Sequence, residues 1–201
     1  MRKKSFTLSI GMLIVYVFFS AVIIVLAAIL IGRSFKDPTL KYYQGAYNYN
    51  VNDLCEVVGM ADYVFAARVV MKNKTTYNAL TATKIGGIHT EGFPITSYTV
   101  VVERNIKGAL LTEQEIIIYK DGGISKNGNN IMLATDDILP EPGKTYIFSA
   151  FTQPNGDLLI AGSRSTVEYR YSKYLEFLDA YLRRVEFERE RFVSPYAVNK
   201  K

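Results

Sequence analysis

Residues Phe6 to Ile31 carry no charged side chain, and this run constrains the chain more than any other stretch. A hydrocarbon core about 30 Å thick is crossed by about 20 helical residues, so the sequence predicts a transmembrane helix over 6–31, with spare length that tilt absorbs. Its polar members, Thr7, Ser9, Tyr16 and Ser20, carry hydroxyls that can bond back to their own helix. A cleaved leader has a shorter apolar core followed by a small-x-small exit. Here Leu26-Ala27-Ala28 runs straight on into Ile29-Leu30-Ile31, which favours a retained anchor. Arg2, Lys3 and Lys4 precede the run, and Arg33, Lys36 and Lys41 follow it with Asp37 among them. The tight N-terminal cluster orients the anchor with residues 1–5 in the cytoplasm and the remainder outside.

The net charge of +5 belongs to that topology. Residues 1–41 hold six of the 24 basic side chains and one of the 19 acidic ones, leaving eighteen of each beyond. A nucleic-acid partner needs a basic face on the domain itself, and no surplus exists there. Cys55 is the one cysteine, which excludes an internal disulfide and a multi-cysteine metal site.

Residues 32–52 read as a juxtamembrane linker, broken by Asp37-Pro38. Its tyrosines 42, 43, 47 and 49 fit either the headgroup layer or the base of a domain. A short helix follows from Asp53 to about Met60, capped by Asn52, with Leu54, Val57 and Val58 turned inward and Cys55 near that face.

Strands then succeed one another. Tyr63–Lys72 is nearly continuous in apolar character, and 73–94 reads as a long loop or loose hairpin. In Ile95–Ile106, Tyr98, Val100 and Val102 face one way and Thr99, Val101 and Glu103 the other, the period of two that marks a sheet. Glu115–Lys120 ends at Asp121-Gly122-Gly123, and a short apolar piece lies at Ile131–Leu133. Thr145–Phe151 alternates again, Asn155-Gly156 marks a hairpin, and Leu158–Ala161 and Thr166–Tyr169 complete the set. From Tyr171 the period becomes 3.6, which predicts an amphipathic helix over 170–193 and a tail over 194–201. The expected fold class is therefore mainly β: an N-terminal transmembrane helix, a small antiparallel β-barrel over 53–169, and a C-terminal amphipathic α-helix.

The succession MADYVFAARVV, SYTVVVERNIKG, a strand ending in DGG, and PGKTYIFSAF resembles a family of uncharacterised bacterial surface proteins, over about 52–162. Their domain is an OB-like barrel similar to those of netrin-like and metalloproteinase-inhibitor domains. The resemblance implies an OB-like barrel here and no inhibitor activity, because that activity depends on a free N-terminal cysteine.

A search for chemistry assigns no catalytic, cofactor-binding or metal-binding residue. A sortase-like site needs Cys, His and Arg converging with Cys late in the barrel, whereas Cys55 precedes the strands and His89 sits in a Gly-rich loop. No Ser–Lys dyad of the signal-peptidase kind is apparent. One His and one Cys are too few for zinc. Asp121, Asp136 and Asp137 offer oxygens of the type calcium takes, but adjacent loop acids read as solvated. Tyr98, Tyr119 and Phe151 are candidates to line a groove, with core packing as their default role.

Interaction remains. The exposed end of the C-terminal helix, at Tyr181, Arg183, Val185, Glu186 and Phe187, is the candidate partner-binding site. The expected function is a non-enzymatic binding module at the bacterial cell surface, with a membrane-anchored peptidase or transpeptidase-like enzyme as the alternative. The expected partners are the lipid bilayer and a protein or second copy met through that helix, with no nucleic acid.

Overall fold

The computed structural model describes residues 10–34, 37–45, 47–77 and 92–198, with side chains of the N-terminal helix described over 11–27. It divides into two compact units, 1–37 and 38–201. The first unit holds helix α1 (Ile10–Ser34), and its large apolar side chains from Met12 to Phe19 and Val22 to Leu26 are exposed. Among the described residues no helix is long and apolar enough to cross a membrane. The expected transmembrane helix over 6–31 is corrected on that count.

The second unit is mainly β. In chain order it contains β1 (Thr39–Tyr43), α2 (Leu54–Met60), β2 (Tyr63–Thr76), β3 (Ile95–Lys107), β4 (Glu115–Asp121), β5 (Gly123–Ile124), β6 (Asn130–Ala134), β7 (Thr145–Thr152), β8 (Leu158–Ile160), β9 (Thr166–Glu168) and α3 (Tyr171–Leu182). These strands form two sheets, ordered β1-β6-β5 and β2-β3-β4-β8-β7-β9. The expectation of one small antiparallel OB-like barrel is therefore also corrected. Each sheet contains a parallel pair, β1 with β6 and β4 with β8, and the larger sheet is a rolled, mixed one.

The roll originates in the pairing of β2 with β3. Its register shifts at four places between Val64 and Thr75, the first two with the extra residue on β3 and the last two with it on β2, and each bulge bends and twists its own strand. The curled strand pairs with β3 along its length and with β7 over Tyr63–Arg68. Both of its edges are thus paired over Tyr63–Arg68, and both of its faces are covered there by side-chain packing. Phe65, Ala67 and Val69 enter the main core with Tyr98, Val100, Val102, Ile116, Ile118, Phe148, Leu158 and Ile160. Val64 and Ala66 face the other way, against Val58 of α2, the adjoining Ala61, and Phe177 and Ala180 of α3. Two covered faces explain why this strand reads as an unbroken apolar run instead of an alternation.

In β3 the alternation holds, with Tyr98, Val100 and Val102 buried. Tyr98 is wholly inside, and its hydroxyl finds no hydrogen-bond partner among the described residues. A desolvated hydroxyl without a bond is unfavourable, so Tyr98→Phe is expected to raise stability by about 1 kcal/mol in urea unfolding. A loss of stability would show that the hydroxyl has a partner.

Helix α2 is capped by Asp53, whose Oδ1 accepts from the Cys55 N–H at 2.8 Å, rather than by Asn52. Strand β1 lies within the expected linker. It has no period-two pattern because four of its five side chains are exposed, and its backbone bonds to β6 define it. Helix α3 ends at Leu182, so the expected helix over 170–193 is shortened. Residues 183–192 carry no helical turn beyond Arg183 and run as a strap over the domain.

Candidate functional site

The strap is held by the end of α2. Val185 donates its N–H to the Cys55 carbonyl at 3.3 Å. The last carbonyls of α2 have no partner within the helix, and cations suit that negative end. Arg189 donates Nη2 to the Met60 carbonyl at 2.8 Å, and Arg191 reaches the Gly59 and Ala61 carbonyls at 3.0 and 3.1 Å. Both guanidiniums also meet the buried Asp62 carboxylate, at 2.5 and 2.9 Å from Oδ1. Asp62 Oδ2 accepts the Thr152 N–H at 2.8 Å, which ties the strap to the end of β7. Gly59 permits the close passage, since a Cβ there would lie 1.8 Å from the Val185 carbonyl oxygen.

Lys107 is a third cation at the same place. Its Nζ donates to the Val58 and Gly59 carbonyls at 2.8 and 2.7 Å. Burial, followed by repulsion from Arg191, lowers its pKa to about 8. Between pH 8 and its ordinary value of 10.5 the unfolded chain holds a proton that the folded chain has released, so stability rises with pH in that window. Tyr43, Tyr49 and Tyr98 act oppositely above pH 10, because burial raises their pKa values. The Lys107 effect is therefore expected between pH 8 and 10, as a rise in unfolding midpoint that Lys107→Met abolishes. A rise that persists in the variant would assign it to another group.

Beside this latch a cleft of about 430 Å³ is lined by Asp62, Tyr63, Gly108, Tyr181, Arg191 and Phe192, among others. Its charged groups are already paired with each other or with backbone carbonyls, so it offers shape more than unspent charge.

The five residues read as a partner site lie along the α3 end and the strap. Tyr181 is half-buried on the α3–β2 cluster, with the Arg184 guanidinium 4.4 Å from its ring centre. Arg183 pairs with Asp179, and Glu186 pairs with Arg184 at 2.6 Å. Phe187 packs edge-on against Tyr49, at 6.4 Å between ring centres, and Val185 stays partly exposed. The structure thus brings Tyr181 and Phe187 onto the domain.

The apolar surface left available is elsewhere on α3. Tyr171, Leu175 and Leu182 are exposed, at 66%, 45% and 79%. At about 100° per residue they fall on one narrow stripe, beside the covered face formed by Tyr174, Phe177, Ala180 and Tyr181. The sequence pattern merged the two faces into one.

A second polar centre lies at the far end of β4. Lys120 and Asp137 are fully buried and directly hydrogen-bonded, Nζ to Oδ2. Lys120 Nζ also approaches the carbonyls of Asp121 and Ile160 and the Ser165 hydroxyl, at 3.1, 3.4 and 3.3 Å. Asp137 accepts from Ser165 Oγ on Oδ2 and from the Thr166 N–H on Oδ1, both at 3.0 Å. Burial raises the Asp137 pKa, and Lys120 followed by Ser165 pulls it back. Nearby, Tyr43 donates to Asp121 Oδ2 at 2.7 Å.

The reading of the loop acids as solvated holds for Asp136 alone, since Asp121 and Asp137 are buried. No cluster of three or more His, Cys, Asp or Glu that could hold a metal occurs among the described residues. His89 lies outside the described residues, and Cys55 is a free, half-buried thiol on α2. Of the candidate groove residues, Tyr98 and Phe151 are core, while Tyr119 is half-buried on β4.

No protein-family model matches this chain, and no curated protein matches it significantly.

Proposed function

We propose that the β domain is a non-enzymatic binding module on the outer face of a bacterial membrane, attached through the apolar N-terminal stretch and engaging a protein partner through α3. The observation that carries the binding role is the exposed stripe of Tyr171, Leu175 and Leu182, next to a helix face that is already packed. Water-exposed apolar side chains in register on a rigid helix are suited to a second apolar surface. The membrane attachment is supported by the charge-free run 6–31 and by the exposed apolar side chains of α1. A binding role also suits a domain whose Arg, Lys and Asp clusters are occupied in holding its own backbone.

The test is chemical crosslinking in cells of the full chain and of a Leu175→Glu/Leu182→Glu variant. Both positions are exposed, so the variant is expected to fold with an unchanged unfolding midpoint. The wild type is expected to give a crosslinked adduct, and the variant is expected to lose at least tenfold of it. An adduct of equal yield in a folded variant would remove α3 as the partner surface, and no adduct in the wild type would remove the binding role.

A further inference from the structure

We propose that Lys120 and Asp137 are joined in the mature protein by an intramolecular amide bond between Lys120 Nζ and Asp137 Cγ. The two side chains are fully shielded from solvent and in direct hydrogen-bond contact, although seventeen positions apart in sequence. The step begins when one proton moves along the existing hydrogen bond, which turns the pair into an amine and a carboxylic acid in a site closed to water. The neutral amine has the lone pair that a nucleophile needs.

The surroundings supply the remaining parts. The Thr166 N–H donates to Asp137 Oδ1 at 3.0 Å, where negative charge develops as the carboxyl carbon becomes tetrahedral. Ser165 Oγ lies 3.3 Å from Nζ and 3.0 Å from Oδ2. It can take the second amine proton and pass it to the departing oxygen. The N–C bond forms, the C–Oδ2 bond breaks, and one water leaves. Nothing is oxidised or reduced, and no co-reactant is required.

Other ion pairs among the described residues lack these conditions. Lys144–Glu141 and Lys173–Glu176 have side chains 45% exposed or more, where hydration keeps both ions charged. The buried Asp62 meets only arginines, whose guanidinium stays protonated and is a poor nucleophile. The bond would pin the end of β4 to the connection between β6 and β7.

The test is the intact mass of the purified full-length protein, followed by a tryptic map. The expected mass is about 18 Da below that of the sequence, the loss of one water. The expected map shows no cleavage after Lys120 and a branched peptide that joins the segments holding Lys120 and Asp137. Lys120→Arg is expected to restore the full mass. Ser165→Ala, tested as a positioning change, is expected to slow the mass loss at least tenfold in newly synthesised protein followed by pulse-chase and intact mass, with the final fold unchanged by circular dichroism. A wild-type protein of full mass that is cut after Lys120 would overturn the proposal. A Ser165→Ala protein that loses water at the wild-type rate would overturn the role of Ser165.

Discussion

Asp137→Ala is expected to lower stability by about 3–5 kcal/mol for the Lys120 ammonium it leaves buried among carbonyls and a hydroxyl, and by about 3 kcal/mol more for the tie it abolishes. For a domain whose whole margin is about 5–15 kcal/mol, such a loss brings the folded state close to its limit. Urea unfolding followed by tyrosine fluorescence and circular dichroism measures it. The double variant Lys120→Met/Asp137→Leu separates two contributions. Replacing a buried ion pair with apolar groups is often neutral or stabilising, so an ionic contact alone predicts a double variant close to wild type. A covalent tie predicts a further deficit of about 3 kcal/mol, the closure entropy of a loop of this length. That deficit is the expected result. A single Asp137→Ala variant as stable as wild type would contradict the burial of this pair.

The second large effect is expected at Asp62. Its carboxylate is 4% exposed and joins three groups: Arg189, Arg191 and the backbone N–H of Thr152. Asp62→Ala leaves the Thr152 N–H unbonded and removes the charge that positions both guanidiniums. The expected cost is about 3 kcal/mol. More diagnostic is where it appears. Val185, Arg189 and Arg191 hold the strap to the end of α2, so its loosening is expected to open trypsin cleavage at Arg189 and Arg191 before global unfolding. A variant that loses stability with no earlier cleavage of the strap would mean that other contacts seat it, such as Phe187 on Tyr49.

The strands were legible because their chemistry is local. Tyr98, Val100 and Val102 alternate with polar neighbours, and glycine and proline mark the turns on either side. Those signals placed β2, β3, β4, β7, β8 and β9 to within a few residues. Strand β1 escaped because Thr39–Tyr43 buries nearly nothing and is defined by backbone bonds to β6, about ninety positions away. The curl of β2, and the parallel pairs that replace a uniformly antiparallel barrel, depend on register, which no periodicity encodes.

The end of α3 shows competition between local and tertiary forces. Val185 continues the helical spacing of Tyr181 and Leu182, yet Phe187 finds Tyr49, and Arg189 and Arg191 find the open carbonyls of α2. Those contacts pull the chain out of the helix. As a result Tyr181 and Phe187 are largely occupied, and the free apolar surface lies at Tyr171, Leu175 and Leu182. The buried Lys120–Asp137 centre had no sequence signal. A lysine inside a domain is rare, and its partner follows an adjacent, exposed Asp136 that makes the dipeptide look solvated.

The most direct test of a binding role at the cell surface is protease digestion of intact bacteria that express the full chain with a C-terminal epitope. If the domain stands outside the membrane, added protease removes the epitope signal while a cytoplasmic control protein survives. An epitope protected until the cells are lysed would place the domain inside and contradict that role.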